Sequence, residues 1–384
     1  MNIKATVFCV CWPAVVLSGT CALAERTSVG SEPPLNVVLV TISSLRADHV
    51  SCLGYGRATT PEFDKFAQEG TLFTRAYATS GWTMPSHASI FTSRFPRDHK
   101  VTHIDHSLDG RFTTLAEILR DKGFRCAGFC CGPRVDCAHG FNQGFEFYDD
   151  FSVQVMLSAI SGVSADINKN RTNDLVNEAA MKWLSKNRKS PFFMFVHYYD
   201  SHWDYLPPAP YDRLFDPDYK GQMNGVSVSR EPLFSNPPGQ RDIEHMIALY
   251  DGEVRQTDKD LGELLGFLRG EGLLERSIVI IVGDHGEQFY EHGHTSHHGV
   301  HEELVHVPML IRVPDRKGYT KKSDALVSTV DILPTVLEYA NIKKPAQCAG
   351  VGLKPIMEGK ADRVHEYVWT EYTGGAVADS WAVR

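Results

Sequence analysis

The sequence predicts an α/β protein: a doubly wound, mostly parallel sheet with helices on both faces. Three observations carry this expectation. Four short apolar runs, 36–42, 192–196, 277–283 and 309–313, read as strands buried on both faces. Stretches with helical period and capping signals separate them. Strand and helix patterns alternate with no internal repeat or low-complexity tract, which argues for crossover connections.

Taken in order, the first 24 residues predict a cleaved export signal. Lys4 supplies positive charge, residues 5–17 are mostly apolar, and Ala22-Leu23-Ala24 offers small residues for cleavage. The apolar part is short for a bilayer and holds Pro13, which argues against a membrane anchor. No later segment reaches about 18 uninterrupted apolar residues. A secreted or periplasmic protein without a membrane span is therefore expected. Residues 25–34 form a polar leader before the first strand, Asn36-Val37-Val38-Leu39-Val40-Thr41-Ile42. Thr60-Pro61, Phe63, Phe66 and Gly70 predict a capped helix with proline in its first turn and glycine past its end. Thr114-Leu115-Ala116-Glu117 is a capping box, and Gly123 closes that helix. Leu175, Ala179 and Trp183 mark a helix before the second run. Ile243, Ile247, Tyr250, Val254, Leu261, Leu264 and Leu268 mark a long amphipathic one before the third. Pro334 to Tyr339 predicts a further helix. Residues 205–240, rich in Pro, Gly, Asp and Ser, read as a long surface loop suited to covering a site. Asn170-Arg171-Thr172 fits a glycosylation acceptor.

The 384 residues carry a net charge of −8, with 42% hydrophobic and 22% charged side chains, as in a folded globular chain. The acidic balance argues against a broad nucleic-acid or anionic-membrane surface but leaves room for a local cationic pocket. Beyond the signal stand Cys52, Cys126, Cys130, Cys131, Cys137 and Cys348. Their spacing matches no zinc pattern, and an exported protein leads us to expect one or two disulfides.

The chemistry concentrates at Asp284-His285-Gly286-Glu287, directly after the run 277–283. A carboxylate and an imidazole at a strand's C-terminal end suit a metal corner in an open α/β sheet. Upstream, Trp82-Thr83-Met84-Pro85-Ser86-His87 sets a hydroxyl at a proline-marked helix start. Threonine barely ionises at neutral pH, and a divalent cation can lower its pKa. Thr83 is read either as such a nucleophile or as a helix N-cap, two roles that can coexist. Oxygen and imidazole ligands favour zinc or manganese over calcium. Histidines gather nearby: His292, His294, His297, His298 and His301 after the strand, and His197 and His202 around Asp200. Neutral, they ligate metal; protonated, they hold an anion or protonate a leaving oxygen.

Together, residues 36–56, Thr60 to Asp64, Trp82 to Ser89, Asp251-Gly252-Glu253, Asp284 to Glu287 and Asp331 to Thr335 resemble the sulfatase family of the alkaline phosphatase superfamily. The resemblance spans about residues 35–341 and implies a catalytic domain there, hydrolysing sulfate or phosphate esters with one divalent metal ion (Zn, Mn or Ca). It implies Thr83 as nucleophile, His87 at the place of an arginine that steadies it, and Asp284, His285, Thr83 and Ser43 around the metal. It further implies His202 and His298 as contacts to the substrate anion, with His298 also catalytic, and a small anionic ester or a sulfated or phosphorylated glycan as substrate.

Besides His87, the pattern departs from the family in four places. Sulfatases proper carry Cys or Ser at the Thr83 position, oxidised to formylglycine, a route closed to threonine. Ser43 stands where an Asp ligand is usual, and a neutral hydroxyl is the weaker ligand. Asp48 compensates only where the backbone turns it inward. Phe129 and Cys131 stand near the place of the substrate-pocket Lys and His. Residues 342–384 are expected as an incomplete form of the family's small C-terminal sheet. Two functions follow: an ester hydrolase, or a degenerate relative that binds an anionic ligand such as a sulfated glycan without turnover.

Overall fold

The computed structural model describes residues 35–150, 173–226, 228, 237–315, 319–373 and 379–384. The export signal, the polar leader and Asn170-Arg171-Thr172 lie outside the described residues. An eight-stranded sheet runs through the molecule in the order β10-β2-β9-β6-β1-β5-β3-β4. Its strands are β1 (Asn36–Ile42), β2 (Thr71–Tyr77), β3 (Arg125–Cys130), β4 (Phe147–Asp149), β5 (Phe192–Tyr198), β6 (Ser277–Gly283), β9 (His306–Arg312) and β10 (Lys322–Ser328). All neighbouring pairs are parallel except those made by β9, which runs antiparallel to β2 and β6. Two hairpins complete the strands: β7 (Gln288–Phe289) with β8 (Thr295–Ser296), and β11 (Trp369–Tyr372) with β12 (Ser380–Val383).

The central strands divide their side chains between two cores, as period-two alternation requires. Val37, Leu39, Phe193, Phe195, Ile278 and Ile280 face one core. There they meet helices α2 (Thr83–Thr92), α3 (Leu115–Arg120) and α6 (Ile332–Tyr339). Val38, Val40, Met194, Val196, Val279 and Ile281 face the other, against α1 (Pro61–Ala67), α4 (Asn173–Asn187) and α5 (Gln240–Gly270). This is the doubly wound arrangement that the sequence predicts.

The Thr114 capping box forms in both directions at the start of α3. In α4 the buried face is Val176, Ala180, Trp183 and Leu184, while Leu175 is exposed; the apolar stripe lies one residue on from the expected one. The expected disulfides are absent among the described residues. Strand geometry accounts for those on β3 and just after it: Cys126 joins one core and Cys131 the other, while Cys126 and Cys130 stand four positions apart on extended chain. The segment after residue 341 belongs to the same compact unit as the sheet, and the small sheet there is the hairpin β11–β12. No helix among the described residues is long and apolar enough to cross a membrane.

Candidate active site

The site forms where β1, β5 and β6 end side by side. Register pairs Thr41 with His197 and Ile42 with Gly283, so the chain leaves all three strands at one edge. There Ser43 and Ser44 follow β1, His197 lies one residue before the end of β5, and Asp284 and His285 follow β6. Open α/β sheets present ligands at such an edge.

Helix α2 begins against this edge. Trp82 is its N-cap and makes no side-chain cap, so Thr83 is the first helical residue rather than the cap. Its hydroxyl is thereby left for another partner. Ser86 Oγ donates to the Asp284 carbonyl at 2.6 Å and ties the helix start to the end of β6. Thr83 Oγ1 then stands 3.1 Å from His285 Nε2. The other ring nitrogen, Nδ1, donates to the Gly286 carbonyl at 2.8 Å, which leaves the Nε2 lone pair facing the Thr83 hydroxyl.

Asp284 is fully buried. Its Oδ1 accepts from the backbone N–H of Ser44 at 3.0 Å and of His285 at 2.7 Å. Its Oδ2 has no hydrogen-bond partner, and neither do the buried Ser43 and Ser44 hydroxyl oxygens. Oδ2 lies 3.6 Å from His285 Nε2 and 3.7 Å from His87 Nδ1. Such spacings suit two ligands that each stand about 2.1 Å from a shared ion. An unpartnered buried carboxylate oxygen beside imidazoles is an unfavourable arrangement that a cation relieves, so these residues fit a divalent ion. Asp48 does not assist: its carboxylate pairs with Arg46 at 2.7 Å and is largely exposed.

Burial sets the protonation of the cluster. It pushes the Asp284 carboxyl up to about 6 and the His285 imidazole down to about 4. It lowers His202 to about 3, and takes His87 below and His197 well below the ordinary histidine range. The rings are therefore neutral near pH 7, the form that ligates metal or accepts a proton.

The sequence-predicted anion contacts take different places. His202 is buried, its Nδ1 donating to the Trp203 carbonyl at 2.8 Å. His298 is exposed and meets the Tyr372 hydroxyl at 3.1 Å, so the C-terminal hairpin reaches the site. Between them stands His297, with its ring 4.5 Å from that of His285 and 4.9 Å from that of His202. Its Nδ1 is 3.2 Å from the buried Glu287 carboxylate. His297 is the better placed of the adjacent pair to meet His285, and only its position among five crowded histidines hinted at this. Phe129 and Cys131 are core residues on the face that packs α4.

The sulfatase family model matches residues 35–342. The chain belongs to the sulfatase family. Arylsulfatase K of Xenopus laevis is 24% identical over 368 residues, covering 87% of this chain and 68% of that protein. N-acetylglucosamine-6-O-sulfatase of Bacteroides thetaiotaomicron is 22% identical over 407 residues, covering 85% of this chain and 71% of its own length. Among solved structures, phosphonate monoester hydrolase of Agrobacterium radiobacter superposes with a TM-score of 0.74 at 21% identity, over 90% of this chain and 81% of its own. A protein solved in complex with its substrate D-glucosamine-2-N,6-O-disulfate gives 0.71 at 19% identity, over 91% and 87%. These likenesses confirm the doubly wound fold. Membership in the sulfatase family places the chain, at family level, among hydrolases of ester substrates.

Proposed function

We propose that this sulfatase-family chain is an exported, metal-dependent hydrolase of sulfate or phosphate esters, with Thr83 as its nucleophile. One observation carries the proposal: the Thr83 hydroxyl faces the lone pair of His285 Nε2 beside an unpartnered Asp284 oxygen. Asp284, His285, Thr83 and Ser43 are the residues to hold a divalent cation, which when bound lowers the hydroxyl pKa and offsets the charge of the ester.

The chain's own groups divide the remaining work. With His285 Nε2 turned toward the cation site, the Thr83 proton leaves to solvent, while the Gly286 carbonyl keeps the ring oriented through Nδ1. The threonine oxygen bonds to sulfur or phosphorus as the ester's bridging oxygen departs, and that oxygen takes a proton from His298 at the mouth. Water then cleaves the threonyl ester and restores the hydroxyl. His87 holds the Thr83 carbonyl through Nδ1 at 2.9 Å and so steadies the nucleophile. An incoming anion raises the proton affinity of the neutral rings around it, so that His202 and His298 become donors to it. The substrate of this reading is a small anionic ester or a sulfated or phosphorylated glycan. The substrates named for the two sugar-acting relatives are of the same kind.

The second reading, anion binding without turnover, is favoured by the neutral Ser43 and Ser44 at the end of β1. A panel of aryl sulfate, phosphate monoester, phosphodiester and sulfated glycan, each with zinc, manganese or calcium, separates the two. Turnover of any member that is lost in Thr83→Ala supports hydrolysis. Saturable binding of the sulfated glycan with no turnover on the whole panel supports the second reading.

A further inference from the structure

Thr41, near the end of β1, has an unusual pair of neighbours. Its hydroxyl oxygen is 3.0 Å from His87 Nε2 and 2.8 Å from His197 Nδ1. Both rings and the threonine are fully buried. A threonine oxygen has two acceptor sites. When both rings place their proton on the nitrogen facing Thr41, the opposite nitrogens, His87 Nδ1 and His197 Nε2, carry lone pairs. His197 Nε2 has no hydrogen-bond partner, and neither does Asp284 Oδ2, which lies 3.7 Å from His87 Nδ1. Ligand atoms from His87, His197 and Asp284 all lie within 4.8 Å of one another, and a small inward turn of the rings brings them to the roughly 3.4 Å between two ligands of a tetrahedral ion. Metal-bound histidines normally give their outer N–H to a fixed acceptor, and Thr41 is positioned to serve two of them. Occupation would release His87 Nδ1 from the Thr83 carbonyl, which keeps its ordinary acceptor role inside helix α2.

We propose that His87 Nδ1, His197 Nε2 and Asp284 Oδ2 form a buried two-histidine, one-carboxylate site for a first-row transition-metal ion, with Thr41 as their shared outer partner. This deepens the hydrolase reading and rests on it in one respect: it reassigns the ligands of the cation invoked there, and with them His87, whose ring then steadies the start of α2 through the ion instead of through the Thr83 carbonyl. The neutral hydroxyl of Ser43 then contributes little, because two imidazoles from α2 and β5 supply the donors that a carboxylate after β1 would have supplied. The donor set selects zinc, cobalt or manganese, since calcium demands six to eight oxygens.

The test is cobalt titration of the chelator-stripped full chain, read by visible absorption and by stoichiometry. One Co²⁺ per chain is expected, with its d–d bands. His197→Gln is expected to weaken binding by about 100-fold or more, and Thr41→Val by about 10-fold. Ser43→Ala should leave cobalt affinity within about threefold of wild type, a small change on the scale of a lost outer-shell contact. Circular dichroism checks that each variant is folded, and Thr41→Val decides if His197→Gln does not fold. Wild-type affinity in a folded His197→Gln overturns the inference, as does wild-type affinity in Thr41→Val where His197→Gln does not fold, or a wild-type chain that takes up no cobalt. Failure here is distinguishable from failure of the hydrolase reading. An ion indifferent to His197 with turnover intact sinks only the ligand assignment, whereas a His197-dependent ion without turnover on the ester panel sinks only hydrolysis.

Discussion

The Thr83 hydroxyl lies 3.1 Å from His285 Nε2, although the two residues are 202 positions apart in the chain. The contact exists because Trp82 rather than Thr83 caps helix α2, leaving the threonine side chain uncommitted at the first turn. Replacing Thr83 by valine keeps the shape of the side chain and removes only the hydroxyl. We expect Thr83→Val to lower kcat at least about 10³-fold, the scale of losing an activated nucleophile. Thr83→Ser should retain measurable turnover. Equal activity of the valine variant and wild type would show that this oxygen does not attack.

Ser43 sits at the end of β1 with its hydroxyl oxygen buried and unpartnered, and its backbone N–H donates to the Tyr198 carbonyl at 2.9 Å. Ser43→Asp places a second carboxylate in the neighbourhood of Asp284. Without metal, two buried like charges repel, so the melting temperature should fall. With zinc or manganese at about 100 times the dissociation constant, binding restores about 2.7 kcal/mol. Thermal unfolding with and without chelator measures both effects. A variant whose melting point is indifferent to metal would show that position 43 does not face the ion.

Sequence legibility followed burial. The bounds of β1 and β6 are those read from the sequence, because strands covered on both faces are apolar along their whole length. Strand β2, Thr-Leu-Phe-Thr-Arg-Ala-Tyr, carries no clear strand signal because Thr74 and Arg75 interrupt the apolar run. Strand β10 lies at the sheet's edge and exposes Lys322 and Asp324, so its period is only half apolar. At the site, Asp284, His285 and Thr83 were visible as short motifs. Thr41 was not: a threonine inside an apolar strand reads as core until its two histidine neighbours are seen. The Tyr372–His298 contact likewise joins residues 74 apart and had no local signal.

Gly286 fixes the His285 ring. Its carbonyl orients His285 through Nδ1, and its N–H donates to the Leu304 carbonyl at 2.7 Å. A Cβ at this position would collide with the Glu303 carbonyl oxygen and crowd Arg46 Cγ at 3.1 Å. The first neighbour is backbone and cannot swing aside. Gly286→Ala should therefore cost about 3 kcal/mol in urea unfolding and shift His285 away from Thr83. Stability within about 0.5 kcal/mol of wild type, the level of an unconstrained surface change, would contradict the packing described.

The final expectation concerns pH and lies away from the metal cluster. His365 Nε2 is 2.8 Å from Asp331 Oδ2, a fully buried carboxylate that also accepts from the backbone N–H of Ser328 and Val351. The hydrogen bond to Asp331 outweighs partial burial and raises the His365 pKa above its ordinary value of 6.5. A histidine raised on folding binds its proton more tightly in the native state. Its stabilisation is complete below the unfolded value near 6.5 and is lost as pH rises through the higher folded value. The stability difference between wild type and His365→Gln should then be about 1.5 kcal/mol at pH 5.5, the scale of a charge-assisted hydrogen bond. At pH 9 it should shrink as the imidazolium is lost. Urea unfolding at the two pH values checks this. The same difference at both would mean that His365 stabilises the fold by packing or by a neutral hydrogen bond, with no contribution from its charge.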